Sequence, residues 1–246
     1  MQLSISEIKA YKACRQLWRL RYVEKLRPVK TAEPLMVGTT YHAMVESLER
    51  GEELPKELTR ERAMAKAFRL YILPQLPSQI EPEKWLEMDI GNGDKFVGIA
   101  DGVCEGGSII EHKTTSTTIT ESYEYGLQWD EQILAYMLLT GGRDVYYTIC
   151  QKPTIRQKKG ESDEEYYQRC IEWYEGGSEA KIRLLRLFRD EADINTFLKQ
   201  LMYLKTEIRA FKDLYKIYGE AACIKNTLHC EKWGRRCEYS SICLNY

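Results

Sequence analysis

No run of 18 apolar residues occurs in the 246-residue chain, and its first residues lack the apolar stretch of a secretory signal. A membrane-spanning or exported protein is disfavoured, and a soluble cytoplasmic one is expected. An excess of either charge is also missing. The 36 Lys and Arg offset the 37 Asp and Glu to a net charge of -1, so any nucleic-acid surface must be local. There is no internal repeat and no low-complexity tract. Histidine is scarce, at three residues. Apolar residues make up 43%, enough for a substantial core, and the length suits one large domain or two small ones.

Cysteine is abundant, with eight residues. Without an export signal a disulfide framework is a poor explanation. Cys104, Cys150 and Cys170 are scattered and read as core thiols. Cys14 stands alone near the start. Cys223, Cys230, Cys237 and Cys243 crowd the end, spaced C-x6-C-x6-C-x5-C. These gaps are wider than the usual short zinc knuckles, although thiolates also hold [4Fe–4S] clusters. By spacing alone all four ligands could come from this tail, or the cysteines could be ordinary thiols of a basic surface tail.

The most informative stretch is Gly98 to Ser116, GIADGVCEGGSIIEHKTTS. It reads as two strands joined by a tight turn at Glu105–Ser108, where paired glycines permit the reversal. Period two places Glu111 and Lys113 on one strand face, and a hairpin brings Asp101 beside Glu111. Two neighbouring carboxylates suit Mg²⁺ or Mn²⁺, and an adjacent lysine can position water or stabilise developing charge. The alternative is a solvated strand face with a surface Glu–Lys pair. Flanking Val97, Ile99, Val103, Ile109 and Ile110 favour a core hairpin.

Around the hairpin, Ser4 or Ser6 caps a first helix, with Ser4 and Glu7 fitting a capping box. The following segment interleaves Arg15, Arg19, Arg21, Lys25 and Arg27 with Leu17, Trp18, Leu20, Tyr22 and Leu26. It suits either a phosphate backbone or an amphipathic helix with a solvated basic face. A linker at 28–34 precedes a helix over 35–50 that carries His42 and Glu46 on one face. A helix over 59–73 follows, then a strand over 84–90, on which Glu87 could face the same cleft. A Thr/Ser-rich loop to Ser122 could meet phosphates. An apolar helix spans 127–140, with Gln132 and Tyr136 one turn apart; from these residues alone, a satisfied amide and a packed phenol on a buried helix are the favoured reading of that pair. Then come a strand over 144–150, a basic loop containing Lys152, Arg156, Lys158 and Lys159, a surface helix over 161–175, a segment over 180–188 that suits a strand and also permits a helix, and a long helix over 190–218. The order predicts a mixed α/β fold with helices against a sheet.

These residues resemble the PD-(D/E)XK nuclease superfamily, and within it the RecB-like group of helicase-associated, CRISPR-associated and phage exonucleases. The match consists of a histidine helix (His42), Asp101, the Glu111–His112–Lys113 triplet, then Gln132 and Tyr136, in family order. A cysteine near the start with three near the end completes it: Cys14, Cys230, Cys237 and Cys243. Ala100 replaces the nominal proline, and Glu111 the commoner aspartate.

The resemblance implies one nuclease domain over 1–246 with a restriction-endonuclease-like core. Residues 1–30 and 219–246 would be joined at the cysteine cluster. It implies that His42, Asp101, Glu111 and the His112 carbonyl hold Mg²⁺ or Mn²⁺. It makes Lys113 the residue that orients water, with Gln132 and Tyr136 in support. Cys14, Cys230, Cys237 and Cys243 would hold a structural [4Fe–4S] cluster, zinc being the lesser alternative. The implied substrate is DNA, single-stranded or with free ends. The protein partner would be a helicase or recombination protein, and the location the cytoplasm, or the host cytoplasm for a phage-encoded member. The competing classes are a non-catalytic DNA-binding or complex-building subunit and a zinc-binding structural protein.

Overall fold

The computed structural model describes residues 1–27, 33–232 and 235–243. The expected linker at 28–34 lies mostly outside the described residues. In chain order the elements begin with β1 (Gln2–Ser4), α1 (Ile5–Ala13), α2 (Arg15–Trp18), α3 (Glu33–Glu49) and α4 (Arg60–Tyr71). Then follow β2 (Ile80–Asp89), β3 (Lys95–Cys104), β4 (Ile109–Thr115), α5 (Glu121–Leu127), α6 (Glu131–Thr140) and β5 (Asp144–Gln151). The chain continues with α7 (Asp163–Glu175), α8 (Ser178–Lys181), β6 (Ile182–Phe188) and α9 (Glu191–Tyr218). Near the end β7 (Glu231–Lys232) pairs with β8 (Arg235–Arg236), before α10 (Ser240–Cys243). This is a mixed α/β fold with a central sheet flanked by helices. No helix among the described residues is long and apolar enough to cross a membrane.

The chain forms two compact units. The first comprises Met1–Thr31, Glu87–Gly98 and Asn195–Tyr246. In it β1 lies parallel to the start of β3, with Leu3 opposite Phe96. Ser4 is extended and its hydroxyl accepts the Glu7 N–H at 3.2 Å, which starts α1. The Glu7 carboxylate accepts from the Trp18 indole at 3.1 Å. Tyr11, Trp18 and Phe211 pack edge to face, with ring centroids 5.6 to 5.7 Å apart.

In the basic run after Cys14 the first three arginines are paired within the unit, while Lys25 and Arg27 are exposed. Arg15 pairs with Glu207 at 2.6 Å, Arg19 with Glu24 at 2.7 Å and with Glu220, and Arg21 with Glu238. Alternation with Trp18 and Leu20, both buried, draws Arg19 inward to 3% exposure, where a charge must be paired. Glu87 pairs with Lys95 at 2.6 Å at an exposed position, which accounts for it without a cleft.

The second unit comprises Ala32–Leu86 and Ile99–Ile194. The later part of β3 pairs antiparallel with β4, Gly102 opposite Ile110 and Val103 opposite Ile109. β4 runs parallel to β5, and β5 antiparallel to β6. Alternation sorts the two faces. Ile110 and Cys150 pack with Val37, Tyr41, Val45, Met64 and Phe68 of α3 and α4. Ile109, Tyr147 and Ile149 pack with Ile133, Tyr136 and Met137 of α6.

The helix expected over 127–140 starts later, at Glu131, and Leu127 is instead the last residue of α5. Asp130 leaves the helical region (φ -76°, ψ 101°) and its side chain accepts the Gln132 N–H at 3.1 Å, so it caps α6. The Thr/Ser loop is correspondingly shorter. Thr120 caps α5, accepting the Tyr123 N–H at 3.2 Å, and the Thr115 and Thr117 hydroxyls bond each other at 2.9 Å.

The hairpin turn lies against the loop after α6. Thr140 donates to the Gly107 carbonyl at 2.9 Å, and a Cβ on Gly142 would sit 1.9 Å from that same oxygen. Gly106 has φ +80° but open space around the missing Cβ. Gly142→Ala should therefore cost about 2 kcal/mol or more by overpacking, and Gly106→Ala about 1 kcal/mol from its backbone conformation alone. Thermal unfolding checks this: Gly142→Ala should melt at least about 4 °C below the parent and below Gly106→Ala. Equal melting of the two would refute a tight turn-to-loop contact.

Candidate active site

The site lies in the second unit, on the face of β4 that looks toward α6. Glu111 and Lys113 share this face, two residues apart, while His112 points to the opposite one. The Lys113 ammonium donates to Glu111 Oε1 at 2.6 Å and lies 3.3 Å from Asp130 Oδ2. The Gln132 amide donates to Glu111 Oε1 at 3.2 Å and to the Tyr136 hydroxyl at 3.1 Å. Gln132 and Tyr136 are one turn apart on α6, which aims both at Glu111. Asp101 Oδ2, on β3, accepts the backbone N–H of His112 at 2.8 Å. Its Oδ1 lies 3.7 Å from His42 Nδ1 on α3. The structure thus brings together Asp101, Glu111, Lys113, Gln132 and Tyr136, with His42 beside Asp101.

The electrostatics follow from burial. Glu111 is 3% exposed, and burial pushes its carboxyl up to about 7; the Lys113 charge opposes this, while Asp101 and Asp130 add to it. Burial alone would lower Lys113, but Glu111 and Asp130 outweigh it and hold the ammonium above its ordinary value. Asp101 is also buried, yet the neighbouring His42 and His112, the latter donating its backbone N–H, hold it below the usual carboxylate range. Lys113 is therefore a permanent cation, and Glu111 a carboxylate that titrates near neutrality.

Three residues of this neighbourhood escape sequence reasoning. Asp130 touches Lys113 and caps α6; an Asp just before an apolar helix is the signal for it. Glu49 contacts His112 Nε2 at 3.2 Å, and its place seven residues after His42 puts both on one helix face. Glu83 sits in β2 with φ +51°, and its carboxyl is raised by burial and by the charges of Asp101 and Glu46. No sequence pattern marks it.

The cofactor expectation is corrected. Among the described residues no group of three or more His, Cys, Asp or Glu side chains is placed to hold a metal ion. His42, Asp101, Glu111 and the His112 carbonyl do not form a Mg²⁺ or Mn²⁺ site. The Glu111 oxygens face Lys113 and Gln132, and Asp101 faces the His112 amide. The [4Fe–4S] expectation, and zinc with it, is corrected on the same finding. Cys14, Cys230, Cys237 and Cys243 border one cavity of the first unit without forming a metal-holding set, and Cys223 does not border it. Cys14 and Cys237 pack as apolar thiols against Ala10, Leu17, Leu20 and Tyr239. Chain start and chain end are joined there by hydrogen bonds instead. Asn226 donates to the Ala13 carbonyl at 2.8 Å, and the Tyr239 hydroxyl to the Leu26 carbonyl at 2.9 Å.

Several solved structures are similar to the chain. One is a candidate exonuclease from Eubacterium rectale, at 12% identity over 84% of this chain and 79% of that one, with a TM-score of 0.49. A phage-related exonuclease from Haemophilus somnus is 13% identical over 71% and 83%, with a TM-score of 0.37. An alkaline exonuclease from Laribacter hongkongensis is 14% identical over 86% and 97%, also at 0.37. No curated protein matches the chain. The sequence profile of the PD-(D/E)XK nuclease superfamily, by contrast, matches residues 2–244. With nearly its whole length accounted for in this way, the chain belongs to the PD-(D/E)XK nuclease superfamily and is a nuclease of that type.

Proposed function

We propose that the protein is a deoxyribonuclease that hydrolyses phosphodiester bonds at single-stranded or frayed DNA ends. The observation that carries the chemistry is the pair of half-buried Lys113 and buried Glu111 beside Asp101. Phosphodiester hydrolysis develops negative charge on the non-bridging oxygens and needs a proton acceptor for the attacking water. Lys113 meets the first need and helps to orient the water. Glu111, poised near neutrality, meets the second. The water oxygen bonds to phosphorus as its proton passes to Glu111, and the leaving alkoxide is protonated from solvent. Gln132 and Tyr136 hold Glu111 in place, and Asp101 with His42 fixes the charge on the other side.

The preference for unpaired ends is supported by two exposed aromatics. Tyr125 and Trp129 are 58% and 70% exposed, with ring centroids 6.0 Å apart, and Trp129 directly precedes Asp130. Each offers a stacking surface to an unpaired base.

Lys113→Ala should lower kcat on end-labelled single-stranded DNA by about 10³-fold or more in a chain that still folds, though at a lower melting temperature because Glu111 and Asp130 lose their counter-charge. A rate within about tenfold of the parent would remove Lys113 from the chemistry.

Activity should rise with pH through about 7 as Glu111 becomes a carboxylate. Stability should move oppositely. Because burial favours the protonated form, the stabilisation this group contributes is complete below its unfolded value of 4.5 and is lost as pH rises through about 7. Glu111→Gln should flatten the stability profile between those limits and abolish cleavage. An unchanged pH–stability profile in that variant would refute the elevation.

Covalently closed single-stranded circles should be cut far more slowly than linear strands. Trp129→Ala should raise KM on linear strands about tenfold, the loss of one stacked base. Circles cut at the linear rate would overturn the end preference, whereas no cutting of any DNA would favour the non-catalytic binding subunit.

A further inference from the structure

On the side of β4 away from Glu111 and Lys113, His112 is buried in a clamp. Its Nδ1 lies 2.7 Å from the Thr148 hydroxyl on β5, and its Nε2 lies 3.2 Å from Glu49 Oε1 at the end of α3. The Glu49 side chain is 0% exposed. That contact is an ion-pair distance and not a well-directed hydrogen bond: among the described residues neither Glu49 oxygen nor His112 Nε2 has one, and the neighbouring Arg50 is taken by Glu46 at 2.6 Å. The imidazole also meets the edges of His42 at 5.7 Å and Phe68 at 5.5 Å.

Burying an imidazole and a carboxylate together costs desolvation that their attraction rarely exceeds, and an apolar pair of similar size is often as stable. Stability therefore gives a weak reason for the pair, and its location gives a better one. α3 carries His42, and β4 carries Glu111 and Lys113 on either side of His112. The backbone N–H of His112 holds Asp101. A tether at His112 thus fixes both the helix that presents His42 and the strand that presents Glu111 and Lys113.

We propose that Glu49, His112 and Thr148 form a positioning relay that locks β4 against α3 and β5 and thereby sets the spacing of His42, Asp101, Glu111 and Lys113. None of the three relay side chains touches substrate. The proposal rests on the hydrolytic reading of the Lys113 site.

The test compares Glu49→Gln, Thr148→Val and the double variant Glu49→Leu/His112→Leu with the parent, in the full chain. The double variant should melt within a few degrees of the parent, yet lose kcat on linear single-stranded DNA by about 30-fold with little change in KM, the signature of a misplaced reacting group. Glu49→Gln, which still offers an oxygen to Nε2–H, should retain most of the activity. Thr148→Val covers the case in which the double variant does not fold, and should show a kcat loss of about fivefold with KM unchanged.

Hydrogen exchange supplies a readout independent of cleavage. Protection of the backbone amide at position 112, held by Asp101, should fall about tenfold in Thr148→Val and in the double variant, while that of Ile110 is retained. Parental kcat and parental His112 protection in folded variants would overturn the relay. A parent that cleaves no DNA would defeat the nuclease reading alone, because the exchange measurement still decides the relay.

Discussion

One cation among three carboxylates sets the terms for the second unit. Glu111, Asp101 and Asp130 gather on one side of β4, and Lys113 is the positive charge in contact with two of them. At the dielectric of a partly buried site, like charges this close repel by several kcal/mol. Lys113 offsets that repulsion, and in return the carboxylates keep it protonated. The price of the arrangement appears on Glu111, which burial leaves readily protonated. A site organised in this way holds a fixed positive charge and an adjustable negative one within 2.6 Å. That is the combination a phosphodiester requires.

The first unit solves a different problem with the same chemistry. Its basic run lies next to apolar anchors, so its arginines are drawn against the body of the unit, and each of Arg15, Arg19 and Arg21 is met by a glutamate. Charges used for internal pairing are not available to release counterions from DNA. The exposed basic side chains lie elsewhere, at Lys25 and Arg27 and in the loop carrying Arg156, Lys158 and Lys159. A balanced net charge is consistent with that economy.

The hairpin was legible because three local signals coincide: period-two alternation, a Gly-Gly turn and apolar flanks. Each constrains the backbone over a few residues without help from distant contacts. The same holds for α3, α7 and α9, whose periodicity is strong. The break at Asp130 was hidden because the apolar content of 127–140 outweighs a single capping residue, although the cap decides the geometry. Glu49 was hidden for another reason. Its role depends on which strand residue lies opposite the end of α3, and that is settled only by tertiary packing. The cysteines and the metal expectation show the limit of carrying a pattern over. The four cysteines border one cavity, but bordering a cavity is a weaker condition than converging as ligands, which is what their assignment required.

β4 divides chemistry from scaffold by parity. Its residues 109, 111 and 113 look toward α6, and 110 and 112 toward α3 and α4. A slip of one residue would exchange the two sets, burying Lys113 among Tyr41 and Phe68 and aiming His112 at Gln132. Seven residue pairs with β5 hold the register along the strand. The Gly107–Gly142 contact holds it at one end, where no side chain fits between turn and loop. The His112 clamp holds it in the middle, at the residue flanked by Glu111 and Lys113. A polar residue buried at that point specifies register in a way that leucine could not, because leucine packs equally well one position along. The polar clamp and the reactive face are two consequences of one alternation, so a change to either is felt by the other.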